Sequence, residues 1–236
     1  MALSLLVEKR PASQDIREYA YHTIKRNILD MRLLPGDQLS EAMMADRLDI
    51  SRTPVHDTFA RLTEEGLVSA IPQKGTSVAP LSSAKIEQGL FMQVQLGRAV
   101  ADRICRSGLP ASAVFALEAN QNQQDFLLSS RRFDSLPELD AQFHEQFYEA
   151  CGLPDVWHAL TVACSDIRRL QAVAVRDPGL WDILAAEHRE LFRALCRQDH
   201  DRVCALLERH YSHAADWLTH AREQNPSYFT ESAPGE

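Results

Sequence analysis

No apolar run in this chain approaches the roughly 18 residues that a membrane-spanning helix needs. The first residues, MALSLLVEKRPASQD, hold a short apolar run, but no basic stretch precedes it and no A-x-A-like site follows. A secretory leader is therefore not expected, and the segment reads as a flexible arm of a cytoplasmic protein. Cysteine pairing is missing too. Cys105, Cys151, Cys164, Cys196 and Cys204 form no C-x-x-C motif. An odd number lying inside helical patterns suits small buried hydrophobes in a reducing compartment, not a disulfide framework. Internal repeats, low-complexity tracts and an H-E-x-x-H signature are also absent, which sets aside solenoids, disordered linkers and the common zinc-hydrolase pattern. Nor is there an excess of basic charge: the formal net charge is −8.

That acidity is unevenly spread. Residues 1–80 hold 10 Lys+Arg against 11 Asp+Glu, whereas residues 81–236 hold 15 against 22. The second part carries the negative charge. A near-neutral first part can bind DNA if its basic groups share one face, but a non-specific polyanion binder is not expected. At 236 residues the chain is long enough for two domains, each with its own core.

Apolar residues from Ile16 through Ile24 and Ile28 to Met31 follow a helical stripe, ended by Pro35-Gly36. Ser40 is placed to cap a short helix over Glu41–Leu48. Asp49-Ile50-Ser51 forms a turn, and a further helix runs from about Arg52 to Glu65, with Gly66 at its left-handed C-cap. Two short strands, Leu67–Ile71 and Thr76–Ala79, are joined by the turn Pro72-Gln73-Lys74-Gly75. Helix, helix-turn-helix and β-hairpin is the winged-helix order. After the linker Pro80-Leu81-Ser82-Ser83, no convincing strand is found. Breaks at Gly108-Leu109-Pro110, Leu136-Pro137, Gly152-Leu153-Pro154, Asp177-Pro178-Gly179 and Gln198-Asp199-His200 mark out about six helices. The expected fold is mainly α: a winged helix-turn-helix, then an all-α antiparallel bundle, then a frayed polar tail.

The stretch from Leu33 to Pro80 resembles the winged-helix domain of GntR-family transcription regulators. Leu-Pro-Gly at 34–36, Leu-Ser-Glu at 39–41, Ser-Arg-Thr-Pro-Val at 51–55 and Glu-Glu-Gly-Leu-Val at 64–68 carry the likeness. A recognition helix sets its first residues against base edges and phosphates in the major groove. Ser51, Arg52, Thr53 and Pro54 stand there. Arg52 suits a guanine edge or a phosphate, and the two hydroxyls suit phosphate. Lys74 and Gly75 at the wing tip suit the adjacent minor groove. Where the family usually has Arg-Glu after the valine, this chain has His56 and Asp57. His56 is a weaker, pH-sensitive donor. Ala42 stands where a basic or polar residue is common.

In the second part, spacing singles out four residues. Asp140 and His144 are i and i+4, on one helix face. His188 lies 11 residues before Asp199 and His210 lies 11 after it. In an antiparallel hairpin about Asp199 both sit about 16 Å from the turn, at about 1.5 Å rise per residue. Three imidazoles and a carboxylate suit a divalent ion, Zn²⁺ or Ni²⁺ foremost, with positions left open. LDAQFHEQFYEACG and EHRELFRALCRQDHDRVCALLERH are similar to the FCD (FadR C-terminal-like) domain of the FadR subgroup. That resemblance implies the same four residues as a metal site beneath a pocket for a small carboxylate effector. It also implies a homodimer reading a pseudo-palindromic operator in double-stranded DNA, and repression until induced. The cavity arginine of many relatives is missing; Gln95 is expected at its position, with Arg98 nearly in phase as a substitute.

The remaining histidines have blander readings. His213 reads as a surface or interface residue, and His22, His158, His200 and His220 as solvated or core residues. Arg168-Arg169 reads as a solvated face or dimer contact before a ligand contact. Glu145 and Glu187 adjoin ligands in sequence but are expected on other helix faces, which leaves a metal-dependent hydrolase without a general base. Two alternatives stay open beside the carboxylate-responsive regulator: a metal-responsive regulator, and a structural metal clamp. The expected domains are residues 1–80, arm and DNA-binding domain, and residues 81–236, effector, metal and dimerisation domain with its tail.

Overall fold

The computed structural model of the chain describes residues 5–11, 13–71, 75–174 and 178–230. It separates into two compact units. The stretch up to Ser83 joins with the C-terminal stretch from Arg222 in one unit, and Ala84–Ala221 forms the other.

In the first unit, α1 (Ile16–Leu29) begins at Asp15, whose carboxylate accepts from the amides of Arg17 and Glu18. α2 (Glu41–Leu48) is capped by Ser40, which accepts from Met43 N. α3 (Arg52–Glu64) ends before Gly66, whose φ of 74° needs no Cβ to be accommodated. Both α1 and α2 pack on α3. The sheet has the order β1-β3-β2, from β1 (Gln38–Leu39), β2 (Val68–Ile71) and β3 (Gly75–Val78). Its strands are antiparallel, in the register Leu39↔Thr76 and Val68↔Val78. β1 was not foreseen, because two residues carry no alternation to read. Ile24, Ile28, Leu33, Val55, Leu62, Leu67 and Val78 are fully buried. Each such side chain is worth roughly 1.5–3 kcal/mol of apolar burial.

The ends of the chain depart from expectation. Within the stretch expected to be a flexible arm, residues 6–8 lie against α1. The buried Asn27 side chain accepts from Leu6 N at 2.7 Å and donates to Leu6 O at 2.9 Å, and Glu8 pairs with Arg26 at 2.6 Å. A buried amide satisfied on both its atoms fixes the segment where apolar contact alone does not. At the other end, Pro226–Tyr228 makes one 3₁₀ turn, and Phe229 then forms a parallel bridge with Leu81. Leu81 N donates to Tyr228 O at 2.8 Å, and Thr230 N donates to Leu81 O at 3.0 Å. The expected fraying is therefore not found through Thr230, because these residues satisfy the backbone of the linker.

The second unit is all helix among the described residues: α4 (Ser83–Ser107), α5 (Ala111–Ser129), α6 (Leu136–Ala150), α7 (Pro154–Ala163), α8 (Ser165–Ala174), α9 (Pro178–Cys196) and α10 (His200–Gln224). α5 packs on α6 and α9, and α6 on α7 and α8. Among the described residues there are seven α-helices where about six helices were expected. The additional break is at Cys164, between α7 and α8, where no glycine or proline announces it.

Candidate metal centre and nucleic-acid interface

Ser51 occupies the N-cap of α3 in extended conformation, yet its hydroxyl makes no capping bond and α3 has no acidic residue in its first turn. The first amides of the helix and its dipole are thus left for an anion. Ser51, Arg52 and Thr53 are exposed. Arg52 has no carboxylate partner among the described residues, whereas Arg17 is held by Asp57 and Arg61 by Glu18 and Glu65. Pro54 corrects the sequence reading. It is buried in the first turn, where its missing N–H costs nothing, and its carbonyl accepts from the Thr58 hydroxyl at 2.8 Å. Its place is packing, not groove contact. His56 is exposed, with Nδ1 2.8 Å from Glu41 Oε1. That hydrogen bond, then the charge of Glu41, raises its pKa. Gly75 opens β3 with φ 87°, a conformation that favours glycine. Lys74 lies outside the described residues.

In the second unit, α6 presents Asp140 and His144 one turn apart, α9 presents His188 and α10 presents His210. All four are buried, and one ligand atom from each lies within 4.8 Å of the others. His144 Nε2 is 3.1 Å from His210 Nε2, and His188 Nε2 is 3.3 Å from Asp140 Oδ1. Donors about 2.1 Å from one ion lie at most about 4.2 Å apart, so a small contraction brings the set to bonding distance. Asp140 Oδ1 and His188 Nε2 are buried and, apart from their mutual approach, make no hydrogen bond. Two orphaned buried atoms among converging donors fit a cation. Burial pushes the pKa of His144 and His188 down and so favours the neutral imidazole that a metal requires. For Asp140, burial acts upward but is outweighed by the close approach of His188 and the neighbouring rings, so it stays a carboxylate well below the usual range.

The outward nitrogen of each ring is also engaged. His188 Nδ1 is 3.0 Å from Gln124 Oε1, Gln124 Nε2 donates to Asn120 Oδ1 at 2.6 Å, and Asn120 Nδ2 donates to Leu139 O at 3.0 Å. A backbone carbonyl can only accept. The direction of this chain is therefore fixed from Leu139, the proton of His188 sits on Nδ1, and Nε2 keeps its lone pair for the centre. His210 Nδ1 is 3.0 Å from Glu187 Oε2, and Tyr211 OH is 3.4 Å from His144 Nδ1. Glu187 also accepts from Arg209 Nε at 2.8 Å and meets His213 Nε2 at 3.1 Å. Burial alone raises the pKa of Glu187, but hydrogen bonds with His210 and His213 bring it down to about 2. His213 is thereby half-buried behind the site and belongs to its surroundings.

The cavity residues need correction. Ile86, Gly89, Gly97, Val100 and Ile104 form the buried stripe of α4, and Gln93 completes its spacing. Gln95 lies about 200° further round the helix, at 100° per residue, and is exposed. Arg98 is ion-paired with Glu208. Inside the bundle, Arg169 is fully buried with its Nη1 3.0 Å from Asp166 Oδ1, and Arg168 donates to Pro137 O and Glu138.

A winged helix-turn-helix with an open recognition-helix terminus, followed by a helical domain built round a buried polar centre, is the architecture of a DNA-binding transcription regulator. Residues 16–78 match the family described as bacterial regulatory proteins, gntR family, and residues 91–213 match the FCD domain. The chain belongs to the GntR family and carries an FCD domain. It is 27% identical over 219 residues to the HTH-type transcriptional repressor RspR of Escherichia coli K12, covering 93% of this chain and 96% of that protein. An uncharacterized HTH-type transcriptional regulator of Agrobacterium vitis is 36% identical over 129 residues, covering 53% of this chain and 75% of that protein. Among solved structures, E. coli McbR/YncC matches with a TM-score of 0.77 at 14% identity, over 88% of this chain and 98% of that one. A GntR regulator from Rhodococcus sp. RHA1 matches at 0.72 and 19%, over 86% and 97%. These last two speak to the fold. The families and relatives are transcription regulators, not enzymes, and among the described residues no helix is long and apolar enough to cross a membrane.

Proposed function

We propose that this regulator is a homodimeric repressor whose affinity for a pseudo-palindromic operator is changed by a small carboxylate bound at a metal ion. Asp140, His144, His188 and His210 hold the ion, and Zn²⁺ or Ni²⁺ suits three nitrogens and one oxygen. A divalent ion there supplies open coordination positions for an effector carboxylate. The observation that carries this reading is the convergence of four buried donors, with Asp140 Oδ1 and His188 Nε2 otherwise orphaned. Ser51, Arg52 and Thr53 contact the operator at the start of α3, with Lys74 and Gly75 at the wing. His56 reaches DNA only in competition with Glu41. Repression follows the E. coli K12 relative, whose name states it. An effector changes operator affinity only so far as it binds the two conformations unequally.

The test is a thermal-shift screen of small carboxylic acids against metal-loaded protein, with and without chelator. A ligand bound to the folded state alone raises the melting temperature. Stabilisation that a chelator abolishes supports the metal-bridged effector. Its absence for every acid on demonstrably loaded protein overturns it, and operator binding that responds to metal alone then identifies a metal sensor.

A further inference from the structure

α5 turns a regularly spaced face away from the bundle. Its inner positions, Ala113, Leu117, Asn120, Gln124 and Leu127, are buried, and the helix packs on α6 and α9. On the opposite side lie Ser112, Phe115, Ala119, Asn122, Phe126 and Ser129, all of them exposed. Phe115 is 74% exposed and Phe126 60%, so each ring leaves in water most of the roughly 150–250 Å² it could bury. Successive positions of the six alternate between three and four residues apart, which is the 3.5-residue repeat of a coiled-coil seam. The seam carries no charge.

The spacing is also a palindrome, with its midpoint between Asn120 and Gln121. Laid antiparallel on a second copy of itself, α5 brings Phe115 opposite the partner's Phe126. Ser112 then stands opposite the partner's Ser129, and Ala119 opposite the partner's Asn122. Each contact occurs twice, as an isologous two-fold interface requires. A second copy of the chain matches this pattern by construction, and a partner of another sequence would leave the symmetry without a cause.

Charge favours the same pairing. Asp125 flanks the seam on the side of α9, where Arg189 holds it at 2.6 Å. Glu118 lies on that flank too, since it acts electrostatically on Cys196 of α9, and it makes no ion pair among the described residues. In the antiparallel register the partner's Glu118 is level with Gln123. That is two residues, or about 3 Å along the axis, from Asp125. A two-fold axis keeps this flank of both copies on one side, so the partner's Glu118 meets Arg189. The guanidinium is then shared between two carboxylates, and neither acid faces another uncompensated.

We propose that the outer face of α5 is where two copies of the chain join, helix on antiparallel helix, with Phe115 and Phe126 as its anchors. This rests on the homodimeric reading above and names the surface that realises it. Aromatic anchors in a patch depleted of charge carry most of the energy of such interfaces.

Sedimentation equilibrium of the full-length protein tests the assignment. Wild type is expected to be a dimer, and Phe115→Lys or Phe126→Lys to raise its dissociation constant at least about thirtyfold. Phe91→Lys, at a ring 67% exposed on α4, should leave the dimer intact. Glu118→Arg sets a second cation beside Arg189 and weakens the dimer. Adding Arg189→Glu restores it, a rescue that misfolding does not produce. Dimers undisturbed by both α5 lysine variants, or dissociated by Phe91→Lys alone, overturn the α5 interface and leave the homodimer standing. Dissociation without recovery in the double charge variant overturns the antiparallel register. A wild type that stays monomeric at every concentration overturns the interface and the homodimer together.

Discussion

The tautomer of His188 depends on two residues that do not belong to the converging donor set, one of which meets its outward nitrogen. Asn120 and Gln124 look like solvated amides on α5, and nothing in their spacing distinguishes them from the exposed polar residues around them. Their signal is three-dimensional: both are buried and aligned between Leu139 O and His188 Nδ1. Replacing Gln124 with leucine should lower metal affinity by about 10–100-fold, as loss of a ligand's supporting hydrogen bond generally does. Competition with a chromogenic chelator measures it, and unchanged affinity would mean that packing alone aligns the ring. The convergence of Asp140, His144, His188 and His210 was legible because helix periodicity is local: an i,i+4 pair and a symmetric hairpin place side chains without knowledge of the rest. Glu187 was misplaced at the sequence level, for adjacency to His188 says nothing of the opposite helix, where His210 receives it. At the DNA face, Glu41 raises the pKa of the exposed His56, so this pair contributes stability below the unfolded pKa of about 6.5 and loses it as pH rises through the higher folded value. The melting-temperature difference between wild type and His56→Ala should therefore shrink from pH 6 to pH 9 at low salt.

At the scale of elements, helix breaks marked by glycine or proline were readable, because those residues act through the backbone. The break at Cys164 and the two-residue β1 were not, since packing and pairing with distant residues create them. The phase of α4 was misjudged for a related reason. Two of its inward positions are glycines, Gly89 and Gly97, which add nothing to an apolar stripe although they mark where neighbouring helices come nearest. Gly89→Ala should therefore be destabilising even though alanine favours helix. Its methyl group meets Ile167 and Cys164 inside normal contact distance, a strain of about 1–3 kcal/mol if the helices cannot part. Urea denaturation gives the value. A stabilised variant would show that the Ile167 terminus simply turns aside.

For the molecule as a whole, the two-domain order was legible from composition and motif, but the boundary was not a single cut. Residues from Arg222 belong with the N-terminal unit. α10 therefore carries His210 in one unit and delivers the tail to the other without interruption. Thr230→Pro removes the amide that donates to Leu81 O. It should speed hydrogen exchange at Leu81 while leaving the metal content unchanged, and exchange read by mass spectrometry decides the point. Unaltered exchange would mean that the linker is held by other contacts.

The bridge between Leu81 and Phe229 also orders events during synthesis. The DNA-binding helices leave the ribosome first, yet the backbone of Leu81 finds its partners only when a residue 149 positions later, Thr230, has been made. Topologically the helical unit is an insertion, and residues that follow it in the chain close the unit that was begun before it. A chain terminated within α10 lacks that closure, so completion of the DNA-binding unit waits on synthesis of the helical unit between Leu81 and Thr230.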